Sequence, residues 1–160
     1  MNKFNFDIVI KELQKAKVDL PKQLANISKK YFLDSWKNQG WEGHKWKTPK
    51  RQIPGTPEYK YPKKGASDRH SRAILIGKGS GALRRAVNNS IKEQTFNIIR
   101  FEVNVDYAKI HNEGGIMKNG KRMPQRQFMP VGNINPPALT KMQKEKIDFV
   151  IGKIWGTYNR

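Results

Sequence analysis

Residues Tyr107 to Pro130 read YAKIHNEGGIMKNGKRMPQRQFMP. Tyr107, Ala108 and Ile110 fall on one side of a helical turn. Gly114 and Gly115 end that turn, because a residue without Cβ reaches positive φ without steric cost. A polar loop from Met117 to Arg122 follows and carries Lys118, Lys121 and Arg122. The chain returns through Met123-Pro124, and Arg126-Gln127-Phe128-Met129 reads as a short extended piece bracketed by Pro124 and Pro130. Proline suits strand starts and sheet edges, where no ladder donor is needed. The pattern predicts a helical turn, a hairpin-like excursion and an extended return, together forming a contact element.

Upstream of it, Thr95 to Val105 is the clearest strand, with Ile99, Phe101, Val103 and Val105 on one face and Arg100, Glu102 and Asn104 on the other. Residues 87–92 are strand-like and pair with 95–105 through a turn at Glu93-Gln94. Ala82 to Val87 is a short helical or irregular piece. Ile74-Leu75-Ile76 is a short apolar strand or helix end. Further upstream, residues 5–36 place Ile10, Leu13, Ala16, Leu20, Leu24, Ile27 and Tyr31 at three- and four-residue steps, which draws one helical stripe. Pro21 predicts a break or kink there, with Asp19 capping the second piece, and Gly40 closes the helix. Downstream, Pro137 to Tyr158 is a helix whose buried side holds Leu139, Met142, the Lys146 stem, Phe149, Val150 and Ile154. Trp36 and Trp155 are expected in the core. The fold class is α+β: a small antiparallel β-sheet packed against long N-terminal and C-terminal helices, with long basic loops. A chain of 160 residues is expected to be a single domain, residues 1–160, with 40–72 and 115–123 as protruding loops.

Composition narrows the chemistry. There is no cysteine, which excludes disulfides, thiolate catalysis and sulfur-ligated zinc. No apolar run approaches a membrane span, and charges interrupt the N-terminal apolar stretch, so the expectation is a soluble protein made and kept in the cytoplasm. The formal charge is +19, unevenly spread. Residues 37–72 carry +7 and residues 117–135 carry +4. Such a field draws polyanions, either nucleic acid or an acidic protein face, and otherwise keeps a protein soluble.

His44, His70 and His111 are far apart and no H-E-x-x-H spacing occurs, so no metal site and no catalytic residue is expected. His111 is expected to hydrogen-bond backbone near the Gly114-Gly115 turn. Gly77-Lys78-Gly79-Ser80-Gly81 lacks the order of a phosphate loop and reads as a flexible turn, so no cofactor is expected. Arg126, beside Phe128 and Met129, needs a carboxylate or carbonyl partner, and Glu113 or Asp106 is expected to supply it. Phe128 is an anchor of the core or an edge. The segment Gly40–Arg72 is irregular and interleaves Trp41, Trp46, Tyr59 and Tyr61 with Lys47, Lys50, Arg51, Lys63 and Lys64. Its aromatics can dock on the protein's own core, on a neighbouring subunit, or on bases of single-stranded nucleic acid.

The stretch Tyr107-Ala108-Lys109-Ile110-His111-Asn112-Glu113-Gly114-Gly115 followed by Met123-Pro124-Gln125-Arg126-Gln127-Phe128-Met129 resembles the bacteriophage virion-morphogenesis family of tail-completion and head–tail joining proteins. That family carries YAxIHxxGG, a loop, and then (I/M)P-x-R-x-F-(L/M). Ile74-Leu75-Ile76 with Ser80-Gly81-Ala82-Leu83-Arg84 is similar to its upstream element, and Trp46 with Pro49 to its Trp-rich loop. The likeness spans roughly residues 31–131, with Gln127 standing where the family usually has proline. It implies the same α+β architecture with Tyr107, His111, Gly114, Gly115, Pro124, Arg126 and Phe128 as structural motif residues. It also implies a binding protein without enzymatic activity. Such a protein forms a ring with copies of itself, a hexamer by the same likeness, and sits at the tail or neck of a virion assembled in the host cytoplasm. Its partners are then tail tube or tail terminator and head connector proteins. The two basic segments, with Trp41, Trp46, Lys47, Lys50, Arg51, Tyr59, Tyr61, Lys63, Lys64, Lys118, Lys121 and Arg122, are expected to supply the contacts, loose until assembly orders them. The alternative is a non-specific DNA-binding accessory protein of a mobile element.

Overall fold

The structure is a computed structural model that describes residues 5–61, 70–76, 81–132 and 134–156. It is α+β: long helices near both ends and three antiparallel two-stranded ribbons. The expectation of one domain over 1–160 meets a chain that divides into two compact units interleaved in sequence. The first holds residues 1–31, 91–102 and 135–160, and the second holds 32–90 and 103–134. Among the described residues no helix is long and apolar enough to cross a membrane.

Helix α1, Phe6–Asn38, supplies residues to both units. Asn5 caps it, its side-chain oxygen accepting from the amides of Asp7 at 3.1 Å and Ile8 at 3.3 Å. The break expected at Pro21 does not occur; the helix runs through it. An interior proline costs about 3 kcal/mol, but Pro21 is buried and long helix on either side continues the ladder. Asp19 is therefore no cap. It sits mid-helix in an exposed 4.0 Å pair with Lys22, which adds little.

In the first unit α1 is joined by a hairpin and by helix α5, Pro137–Gly156. Pro137 opens α5 at a position where a missing N–H costs nothing, and the Pro136 carbonyl accepts from both the amide and the hydroxyl of Thr140. Leu139 and Ile154 are buried, as are Val9, Ala25 and Ser28 of α1. Gln143 donates to the Ser28 hydroxyl at 2.9 Å, fixing one helix against the other. The expected buried face of α5 is only partly right: Phe149 is 56% exposed and Trp155 51%, so Trp155 is no core residue. Phe149 is instead covered by the ammonium groups of Lys146 and Lys153, at 5.1 and 5.6 Å from its ring centre. At the start of α1, Ile10 and Leu13 are likewise exposed. The hairpin pairs β3, Ile91–Gln94, with β4, Ile99–Phe101. The expected strand 95–105 is thus short, and the turn lies at residues 95–98 rather than at Glu93-Gln94. There Thr95 exchanges backbone and side-chain bonds with Ile98, a local alternative to the ladder.

The second unit is built on aromatic rings. Trp36 meets Phe128 at 5.0 Å between ring centres and Trp46 edge-on at 5.8 Å, and Phe32 meets Trp41 at 6.3 Å. Just after α1 the chain turns through Gln39, at φ +48°, into a ribbon of β1, Gly40–Trp41, and β2, His44–Lys45. Gly40 is needed for close approach rather than for helix ending, since a Cβ there would overlap the His44 carbonyl. Gln39 accepts from the Ile74 amide at 2.7 Å and its own carbonyl receives the Trp46 amide at 2.8 Å. The stretch expected to be irregular carries two further elements, a 3-10 turn at Lys50–Gln52 and a helical turn α2, Pro57–Lys60. Ile74-Leu75-Ile76 is neither strand nor helix end but a turn, with Leu75 at φ +59°. Helix α3, Ala82–Asn88, buries Leu83 and Val87. Lys63, Lys64 and Gly77 to Ser80 lie outside the described residues.

Leu139→Ala is expected to lower stability by about 2–5 kcal/mol, and Phe149→Ala by no more than about 0.5 kcal/mol. Urea unfolding compares the two, and equal losses would overturn the buried face assigned to α5.

Candidate functional site

The Tyr107–Pro130 segment folds as its pattern predicts at the start. Helix α4, Ala108–Glu113, ends on Gly114 and Gly115 at φ +73° and +136°. A ribbon of β5, Gly115–Ile116, and β6, Arg122–Met123, makes the excursion. The extended return at 125–129 finds no strand partner. Its backbone bonds to α4 instead. The Arg126 amide donates to the His111 carbonyl at 2.8 Å. Asn112 does the rest: its side-chain oxygen accepts from the amides of Phe128 at 2.9 Å and Met129 at 3.0 Å, and its NH₂ donates to the Met129 carbonyl at 3.2 Å. One carboxamide replaces a strand edge. At Gly114, a Cβ would stand 2.9 Å from the Gln125 nitrogen, so glycine is required there by contact as well as by φ.

Asn112 was not singled out from the sequence. The available signal was its position four residues after Ala108, on the same helical face. Both residues are buried, and a polar group on a buried helical face must find partners.

Phe128 is the core anchor expected of it, buried against Trp36. Arg126 is only 8% exposed but pairs with neither Glu113 nor Asp106. Its guanidinium donates to the Lys47 carbonyl at 3.3 Å and rests 3.7 Å from the Met123 sulfur. The return segment points Arg126 toward the Lys47 backbone, whose carbonyl accepts from one terminal nitrogen of the guanidinium. His111 also departs from expectation. Its carbonyl, not its ring, makes the backbone bond, and the ring stands edge-on to Tyr107 at 5.7 Å.

Beside this element lies an open cleft of about 680 Å³. It is lined by Gly114, Gly115 and Pro124 and by the cationic Lys47, Lys50, Arg122 and the buried Arg126, with Glu113 the acid among the described lining residues. Lys47 and Lys50 come from the first basic segment and Arg122 from the second, 72 residues beyond Lys50 in sequence. The structure thus joins the two at one concavity.

The other expected contact residues divide. Trp41 at 9% and Trp46 at 6% exposure are taken into the unit's own core, and the Trp46 indole N–H donates to the Gln127 carbonyl at 2.8 Å. They are corrections to an outward role, because each ring gains more by packing on Phe32 or Trp36 than a solvated loop offers. Arg51 also turns inward, donating to the Arg72 carbonyl at 2.9 Å beside Gln52, which does the same. Tyr59 packs against the His70 ring at 4.2 Å. Tyr61, 78% exposed, does face outward. Lys118 and Lys121 are exposed on the loop of the β5–β6 ribbon, whose turn is closed by Met117 and Lys121 and by Gly120 at φ +75°.

Burial first, and the positive charge of Arg126 second, hold the His111 imidazole below its ordinary 6.5. Burial, and then Arg51, also lower Arg126. No protein-family model, curated protein or solved structure matches the chain.

Asn112→Ala removes three hydrogen bonds and strands two amides, so a loss of about 2–4 kcal/mol is expected. Urea unfolding measures it, and a loss under about 1 kcal/mol would deny Asn112 its role. His111 sets a pH dependence. The unfolded chain takes up a proton near pH 6.5 that the folded chain refuses, so this contribution is fully present above pH 6.5 and is lost as the pH falls below it. His111→Phe should flatten that part of the stability profile, and an unchanged slope between neutral and mildly acid pH would refute it.

Proposed function

We propose that this chain is a phage or prophage structural protein that completes the tail or joins head to tail through ring-forming protein–protein contacts. The observation that carries the reading is the cationic cleft, where Lys47 and Lys50 stand with Arg122 beside the element that resembles the virion-morphogenesis motif. The work done there is binding, with no bond made or broken. A ring requires a heterologous contact, in which one surface of each subunit meets a different surface of the next. An acidic face on a neighbouring subunit, tail tube or connector protein suits the cleft, and the +19 chain draws such a face in at long range before docking. Tyr61, Lys118 and Lys121 extend the positive, exposed surface around the same unit.

The net charge also favours a second reading, a non-specific DNA-binding accessory protein of a mobile element. The two separate by salt response, because counterion release makes DNA affinity fall steeply with ionic strength.

Electron microscopy of the purified protein, alone and with phage tail tubes, tests the first reading. Rings, or density capping the tube end, are expected for the native chain, and their loss is expected for Lys47→Glu/Lys50→Glu/Arg122→Glu with an unchanged melting temperature. A protein that stays monomeric beside tail tubes yet coats DNA stoichiometrically at physiological salt would overturn it in favour of the second.

A further inference from the structure

Among the described residues of the second unit, His111 buries Nδ1 and Arg126 buries Nε without a hydrogen-bond partner, as the Trp36 indole does its Nε1. Arg126 is more than nine-tenths buried and permanently charged. Its terminal nitrogens reach only neutral groups, the Lys47 carbonyl and the Met123 sulfur, and among the described residues no carboxylate pairs with it. A buried cation held by neutral groups alone is an unbalanced arrangement, since desolvation is offset chiefly by an opposite charge at close range. Both residues line one cavity of about 250 Å³, together with the Arg51 side chain, Tyr107 and the apolar Ile74 and Leu83. The charges facing His111 are thus Arg126, from the return segment, and Arg51, from the 3-10 turn, with the Tyr107 phenol from the head of α4.

We propose that this cavity binds one small oxyanion, held by the cationic side chains of Arg126 and Arg51 and by the His111 imidazole that line it. At about 250 Å³ the cavity has room for an oxyanion and lies just below the roughly 300 Å³ at which pockets for drug-sized ligands begin. Ile74, Leu75, Ile76 and Leu83 among its lining residues lower the local dielectric, which strengthens an electrostatic contact. Guanidinium and imidazole are both suited to oxygen acceptors, and a guanidinium matches the planar or tetrahedral oxyanion edge. The ion also supplies the counter-charge that Arg126 lacks, which makes occupancy a condition of full stability rather than an ornament of the surface. The inference stands whether or not the chain joins virion subunits.

The chemistry admits two sources, free inorganic phosphate and a carboxylate, and the test separates them. The His111 ring resonances of the native chain are followed by NMR across pH in sodium chloride, phosphate and acetate at matched ionic strength. The expected result is a saturable, one-to-one rise in the His111 pKa together with a rise in melting temperature. Saturation by phosphate alone assigns the free ion, and saturation by acetate assigns a carboxylate. Arg126→Gln should weaken the effect at least tenfold, the equivalent of about one charged hydrogen bond. His111→Phe serves where that variant does not fold: it should weaken the melting-temperature response while Lys118→Gln/Lys121→Gln leaves it intact. A His111 titration identical in all three salts, or a response that never saturates and tracks ionic strength alone, overturns the proposal.

Discussion

The Asn112 carboxamide holds the second unit's contact element together. It takes two backbone amides and gives to one backbone carbonyl of the 125–129 segment, doing the work of an adjacent strand within a single side chain. Because Phe128 and Met129 are held there, the Phe128 ring is delivered to Trp36. The Gln127 carbonyl is delivered to the Trp46 indole, and the Arg126 guanidinium to the Lys47 carbonyl. The chain around Trp46 and Lys47 is thereby tied to the chain after β6. Each ring contact adds about 0.5–1.5 kcal/mol beyond its burial, but their positions are conditional on the backbone clamp. Gly114 is part of the same constraint, since only a residue without Cβ lets α4 end so close to Gln125.

The charge distribution follows from this clamp. Two basic segments far apart along the chain are both expected from composition to face outward. The side-chain-to-backbone bonds that tie residues 46–47 to 126–127 bring both segments to the lining of one cleft, so their fields add at one place. The same tie removes Trp41, Trp46 and Arg51 from that surface by turning them to the protein's own rings and carbonyls. The first basic segment thereby presents Lys47 and Lys50 at the cleft in place of its tryptophans, a surface suited to charge complementarity more than to base stacking.

Much of the architecture was legible because local rules were not opposed. The apolar stripe of α1, the Pro137 start of α5, the Gly114-Gly115 ending of α4 and the hairpin-like excursion after it all follow from periodicity, fixed φ or freedom to adopt positive φ. The errors fell where tertiary burial outweighed a local preference. Pro21 predicts a break, yet a buried ring inside a long helix tolerates it. Strand alternation at residues 95–105 was overridden by Thr95 turning on Ile98. Phe149 and Trp155 are large apolar residues in the same helix as Leu139 and Ile154, but they point away from the buried side, and composition alone cannot tell which apolar side chains of a helix meet another element.

What the sequence determined by itself was therefore the class of fold, the long helices near its two ends, the two concentrations of positive charge and the residues of the α4–hairpin motif, because each is written in spacing a few residues long. The tertiary structure alone decided that Asn112 is the clamp, that Arg126 takes a carbonyl in place of a carboxylate, that the tryptophans face inward, and that Lys47, Lys50 and Arg122 share one cleft. Those outcomes depend on which backbone groups and rings meet across long stretches of chain, and no local pattern of side chains encodes the geometry of such a meeting.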